Sequence, residues 1–203
     1  MKFRIKRRVK GAKVRTVGGK KLLKILRRHP AVHFDVVPVR PEIPPRERIV
    51  RVALSQVGVT EHPPNSNTGT RVKEYQAATT LGGTGWPYCQ GGVVWVLLHA
   101  HVKAIYRGAS VRAHEDEAKR LGRWHKTPKR GDAVVFEFDG NAATGDHVGI
   151  VRKVNTRAKT IDTIEFNTSP TATGSQANGG GVYAKTRPLS LCKGFIDLVG
   201  DRS

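Results

Sequence analysis

The segment Gly85-Trp86-Pro87-Tyr88-Cys89-Gln90-Gly91-Gly92, with the apolar run Val93 to Leu98 behind it, dictates more of the fold than any other stretch. Pro87 fixes its own φ and pushes Trp86 into an extended conformation, so the chain arrives at Cys89 as a stiff loop. From Tyr88 onward, Cys89, Val93, Val94, Leu97 and Leu98 fall at the spacing of one buried helical face. This predicts a helix with Cys89 in its first turn, where unpaired backbone N–H groups and the positive helix end favour an anion. A thiolate nucleophile suits such a position. A buried structural cysteine is the other reading, and the choice depends on what the rest of the chain supplies.

Ahead of this segment the spacing predicts helices over 47–57 and 71–79, separated by the loop Glu61 to Gly69. A third helix is expected over 111–121, stopped by Gly122. Trp124 to Gly131 reads as a turn-rich connector. Short β-rich runs then dominate at 133–138, 147–154, 161–167, 181–186 and 195–199, most of them separated by Gly, Asn or Asp. Helices first and antiparallel strands second is the α+β pattern. No internal repeat or sustained heptad occurs, and no apolar run approaches the ~20 residues needed to span a bilayer.

Charge divides the chain. Of the 203 residues, the first 50 hold 16 Lys and Arg against 3 acids, a net of +13; residues 51–203 hold 20 against 13, a net of +7. We therefore expect two domains, a basic N-terminal arm with a Pro-rich linker over 1–45 and a catalytic-looking domain over 46–203. Within the arm, 1–19 suits either a basic hairpin or an unstructured tail, 20–28 a short amphipathic basic helix, and 31–39 one strand. Pro38, Pro41, Pro44 and Pro45 predict a stiff extended linker. Such charge implies a polyanionic partner. The N-terminus has no continuous apolar core of a secretory signal, so synthesis in a cytoplasm is expected. Two cysteines, Cys89 and Cys192, are too few for a disulfide framework and match no zinc-ligand spacing.

A cysteine nucleophile needs a base, and the base needs a group to hold its ring. His147 opens the run Asp146-His147-Val148-Gly149-Ile150-Val151. With period two, His147, Gly149 and Val151 share one face while Val148 and Ile150 bury the other. Gly149 leaves room for a substrate or a neighbouring side chain; a strand-end histidine bonded to solvent is the bland alternative. On the next strand Glu165 and Asn167 are two apart and are expected on the same face. There either one accepts from the imidazole N–H and fixes its tautomer, unless they form a merely polar solvent face.

Together these segments resemble the CHAP domain, the cysteine, histidine-dependent amidohydrolase/peptidase family. The likeness runs from about Arg48 to Leu198 and rests on the order of several motifs. These are Gln56 to Glu61, Asn65-Ser66-Asn67, Trp86 to Cys89, Gly131 to Phe136, Asp146 to Val151, and Ile164 to Thr168. The resemblance implies a papain-like α+β fold, N-terminal helices packed on a mainly antiparallel sheet, and cleavage of an amide bond in bacterial peptidoglycan. It implies Cys89 as nucleophile, His147 as general base, Glu165 as orienter and Asn167 as an assisting group. The Cys89 backbone N–H is the expected oxyanion donor, with Gln90 a weaker one. Trp86, Tyr88, Gln90 and Asn67 are the expected substrate-binding residues. Among relatives the likeness is strongest to bacteriophage endolysins: made in the host bacterial cytoplasm without a signal peptide, then released onto the wall. A monomer is expected, with anionic wall polymers as partners of the basic arm.

Two departures matter. Phe166 stands where relatives often have glycine, and its ring should pack on the opposite sheet face. Residues 65–75, where some relatives bind calcium, contain no aspartate. Hard cations want several carboxylate oxygens, so no metal and no cofactor is expected. His114-Glu115-Asp116-Glu117 lacks the second histidine of a zinc-peptidase helix, and Cys192 reads as a small buried hydrophobe. The alternative function is a non-catalytic basic protein that binds an anionic envelope polymer or nucleic acid, although no nucleic-acid-reading motif is present.

Overall fold

The computed structural model describes residues 1–7, 13–39, 41–138, 147–171 and 174–201. They form two compact units, Met1–Ile43 and Pro44–Ser203. The first unit contains β1 (Lys2–Arg7), β2 (Arg15–Gly18), α1 (Gly19–Arg28) and β3 (Phe34–Val39), with antiparallel strands ordered β2-β1-β3. Alternation in β1 turns Phe3 and Ile5 to one face, where Ile5, Val17 and Leu22 are buried and Phe3, Ile25, Leu26 and Phe34 pack against them. The basic arm is therefore a small folded body with its own core. Pro38, expected to begin a linker, instead lies in β3 opposite Phe3. β3 is an edge strand, where a missing N–H costs no ladder bond.

Pro45 opens α2 (Pro45–Leu54) at the first helical position, where its fixed φ and missing N–H suit the helix start. There follow α3 (Thr70–Ala77), α4 (Cys89–His99) and α5 (Val111–Arg120), then β4 (Trp124–His125), β5 (Ala133–Phe136), β6 (His147–Asn155), β7 (Thr160–Thr168), β8 (Gly181–Pro188) and β9 (Cys192–Ile196). The strands make one antiparallel sheet in the order β4-β9-β5-β6-β7-β8. The expected connector thus holds a two-residue strand, Trp124–His125, paired to β9. The architecture is mixed α+β with an antiparallel sheet, as the run of helices and then strands predicts.

The sheet is buried on both faces. Val135, Val148, Ile150, Ile164 and Phe166 join α2, α3 and α4 in the main core. Val134, Phe136, Val151, Ile161 and Phe195 form a second cluster on the other side. The period-two reading of β6 had assigned only Val148 and Ile150 to a buried face; Val151 and His147 are buried as well.

Helix α4 is enclosed on almost every side, Cys89 through Leu97 being buried. Leu98, expected on its buried face, is 38% exposed. A Cβ on Gly92 would meet the Phe166 ring at 2.2 Å, and one on Gly91 would meet the Tyr75 carbonyl oxygen at 2.8 Å. These two glycines let the Cys89 helix sit directly on β7 and α3. Phe166 fills that contact from the face opposite Glu165.

Candidate active site

Cys89 is the first residue of α4, and no side chain caps the helix start. The backbone N–H groups of its first turn therefore remain available to a ligand. The residue is buried, 6% exposed. His147 heads β6, directly opposite Phe136 on β5. Its ring is fully buried against a pair of stacked phenyl rings, Phe136 at 6.0 Å and Phe138 at 6.1 Å. Nε2 lies 3.3 Å from Glu165 Oε2, and the Cys89 side chain interacts with the same imidazole. The Glu165 contact is a close ion pair and not an aligned hydrogen bond: neither ring nitrogen meets hydrogen-bond geometry with a described partner. Catalytic bonds in unliganded sites are often loose in this way.

Gly149 makes the approach possible. β6 and β7 pair Gly149 with Glu165, and a Cβ on Gly149 would lie 2.8 Å from Glu165 Cγ. The open face that the sequence offered beside His147 is filled by this carboxylate.

Electrostatics follow from burial and pairing. Burial alone would lower the His147 pKa; Cys89 and Glu165 outweigh it and raise the value to about 9. Burial would raise Glu165, but Arg187 and His147 hold it down at about 2. An imidazolium between a sulfur and a carboxylate is thus the favoured state at neutral pH. Cys192 is the contrast, a half-buried thiol that burial pushes up to about 12.

Asn167 does not share the face of Glu165. Phe166 pairs with Val182 and Thr168 with Gly181, so Asn167 is the extra residue of a bulge, with φ +58. The bulge resets the alternation. The Asn167 amide donates to Asn178 Oδ1 at 3.2 Å and to the Ala177 carbonyl at 3.5 Å, and no hydrogen bond joins it to His147. Its Oδ1 is buried without a partner among the described residues.

The expected substrate-binding residues separate into two kinds. Trp86 is half-buried at the surface, its indole N–H donating to the Gly82 carbonyl at 3.0 Å. It lines a cleft of about 600 Å³ with Thr80, Leu81, Pro87, Tyr106 and Ser110. Asn67 lies in the preceding loop at φ +52, its N–H donating to Glu61 Oε2 at 3.0 Å. Tyr88 and Gln90, by contrast, are fully enclosed. Tyr88 stacks on Tyr75 at 5.8 Å, and Gln90 Oε1 accepts from His114 Nδ1 at 3.1 Å. Burial holds His114 neutral, with its pKa lowered to about 4. In this conformation neither Tyr88 nor Gln90 reaches a ligand, because α4 is covered on the sides where a surface helix would be open.

Two residues that sequence reasoning did not single out hold the site in shape. Arg187 on β8 grips Glu165 with both arms, Nε to Oε1 at 3.0 Å and Nη2 to Oε2 at 2.6 Å, and Thr163 Oγ1 adds a third bond at 2.6 Å. The Arg187 guanidinium also lies over the Phe136 and Phe138 rings at 5.6 and 5.4 Å. Gln76, fully buried on α3, donates to the carbonyls of Asn67 at 2.9 Å and Trp86 at 2.7 Å. It ties the Asn67 loop to the loop that delivers Cys89. Among the described residues no group of three His, Cys, Asp or Glu is gathered as a metal site would need, and no helix is long and apolar enough to cross a membrane.

No curated protein and no solved structure matches the chain. A family model does match: that of the CHAP domain, over residues 79–167. The matched stretch begins ten residues before Cys89 and ends on Asn167, taking in His147 and Glu165 on the way. Over this stretch the chain is similar to the CHAP domain, a family whose general type of function is that of a peptidoglycan hydrolase or amidase.

Proposed function

We propose that the chain hydrolyses an amide bond of bacterial peptidoglycan, in the manner of an endolysin, with Cys89 as nucleophile. The observation that carries this reading is the convergence of Cys89, His147 and Glu165, from one helix and two strands, with His147 raised to about 9. The thiolate attacks the carbonyl carbon of a stem or cross-bridge amide, and the oxygen takes up the charge. The Cys89 N–H at the helix start donates to that oxyanion. The imidazolium gives its proton to the leaving nitrogen, the C–N bond breaks, and a thioester remains. Neutral His147 then takes a proton from water, whose oxygen attacks the thioester; collapse returns the proton to sulfur and frees the acid. Glu165, clamped by Arg187 and Thr163, holds the ring between sulfur and carboxylate. Residues 1–43, with 14 Lys and Arg against 2 acids, a net of +12, draw the enzyme to the anionic wall by long-range attraction.

The test is digestion of purified walls by the wild type and by Cys89→Ala and His147→Ala, with mass spectrometry of the released fragments. New amino termini or free lactyl groups identify the bond. Both variants are expected to fold, to sediment with the walls and to release nothing. Wall clearing by Cys89→Ala at the wild-type rate would overturn the mechanism.

A further inference from the structure

Helix α1 is too short to cover the sheet beneath it. Ten helical residues span about 15 Å, whereas the six residues of β1 span about 20 Å. Gly19 N–H is bonded to the Met1 carbonyl, so α1 starts level with the beginning of β1 and does not reach the far end of the strand. That end is a cleft of about 490 Å³. Its floor is apolar: Ile5, Ile25 and Phe34. Its rim is cationic: Arg7, Lys13 and Arg15, with His29 closing it from the helix C-cap.

The register sets the spacing of the rim. Arg15 pairs with Ile5, so Arg7 is its diagonal neighbour, about 7–8 Å away. Arg7 pairs with Phe34, and its guanidinium lies 5.9 Å over that ring. None of Arg7, Lys13, Arg15 and His29 forms an ion pair among the described residues. The negative end of α1 would repel an anion here, but its last turn carries Arg27 and Arg28.

We propose that this cleft binds a phosphodiester-linked polyol polymer of the bacterial envelope, two successive phosphates resting on Arg7 and Arg15 and the carbon chain between them on Ile5, Ile25 and Phe34. The cations match the phosphates by charge and by fork geometry, and the apolar floor suits the C–H groups of a polyol. Nucleic acid fits less well. Sequence-tolerant strand binding relies on several exposed aromatic platforms, whereas residues 1–43 contain no Tyr or Trp, and Phe34, partly buried, is the one aromatic ring among the described residues lining the cleft. The site deepens the wall-directed reading above and rests on it for the source of the polymer.

The experiment titrates the full chain with poly(glycerol phosphate) at fixed ionic strength and compares two variants. Arg7→Gln/Arg15→Gln removes two charges from the cleft. Lys2→Gln/Arg4→Gln/Lys6→Gln removes three from the opposite face of β1. The cleft variant is expected to lose about tenfold or more in affinity, and the control, despite its larger charge change, about threefold or less. Circular dichroism and thermal melting confirm that both stay folded. Equal losses, or a greater loss in the control, would mean a diffuse field and sink the site. Tighter binding of duplex DNA than of the polymer, at matched phosphate concentration, would reassign the cleft to nucleic acid. The polymer contains no amide, so a failure of the hydrolytic mechanism leaves this measurement intact, and the reverse also holds.

Discussion

Arginine has two opposite uses in the two units. In the C-terminal unit Arg46 and Arg187 are nearly buried and saturated with carboxylate: Arg46 bonds Asp132, Asp197 and Asp201, and Arg187 bonds Glu165 through both arms. In the N-terminal unit Arg7 and Arg15 stand exposed and form no ion pair among the described residues. A buried guanidinium is tolerated only where its charge is met, so its contribution is to hold elements in place. An exposed one holds little, and its charge remains available to a partner. The comparison assigns the first kind to architecture and the second to recognition, and it can be broken at each point.

Arg46→Ala should do the most damage. Arg46 gathers carboxylates from the loop before β5 and from the C-terminal segment, and Asp132 and Asp197 are 0% and 2% exposed. Truncation leaves both charges buried without their cation, at a cost of about 3–5 kcal/mol. Urea unfolding measures this directly. A loss below about 1 kcal/mol, in the range of exposed pairs, would remove the architectural half of the comparison.

Next comes Arg187→Met. Glu165 keeps Thr163 and His147, so the expected loss is smaller, about 2–3 kcal/mol. Loss of Arg187 also weakens what holds Glu165 near 2. Glu165 is lowered in the folded chain, so its stabilisation is complete above its ordinary value of 4.5 and is lost as pH falls through about 2. In the variant the acid limb of the wall-clearing profile should move to higher pH and the rate at neutral pH should fall about tenfold. Arg187→Lys should restore part of both, as one charge without the fork. A destabilised variant with an unmoved acid limb would reduce Arg187 to packing.

How much of this was legible in the sequence depended on what each position needed to betray it. Cys89, His147 and Glu165 were visible because punctuation surrounds them: a proline and two glycines around the thiol, a glycine beside the histidine, and alternation on β7. Arg187 was invisible because, in a chain of net charge +20, one more basic residue late in a strand looks solvated. Asn167 misled because period two holds only without a bulge, and nothing in Glu165-Phe166-Asn167 announces a left-handed residue. Tyr88 and Gln90 read as site residues because they flank Cys89 in the motif that carries the resemblance, whereas α4 is covered nearly all round by α2, α3 and the sheet. In residues 1–43, a few apolar side chains spaced among lysines proved enough for a core, which composition alone did not decide.

His147 carries the same principle into the site itself. It is a buried cation that is raised, not lowered, because Cys89 and Glu165 face it. Its protonated form stabilises the fold fully below the ordinary value of 6.5, and this is lost as pH rises through about 9. Activity should decline over the same alkaline range. Replacing Cys89 with Ala removes one of the two groups that raise the value, so the His147 titration followed by NMR should move to lower pH. An unchanged titration would mean that the sulfur and the ring are not coupled.

The smallest expected effect tests the other half of the comparison. Arg15 sits opposite Ile5 on an edge strand, exposed and without an acid partner among the described residues. If its charge is held for a ligand, Arg15→Ala should change stability by less than about 0.5 kcal/mol, in either direction, at low salt. Removing one like charge from a body of net +12 even relieves some repulsion, so a slight gain is the favoured sign. Raising the salt should erase the difference, because exposed charges are screened within about 10 Å at 0.1 M. A loss comparable to that of Arg187→Met, insensitive to salt, would show that Arg15 supports the small core over Ile5, and the division between arginines that hold and arginines that recognise would fail in the unit where it matters for binding.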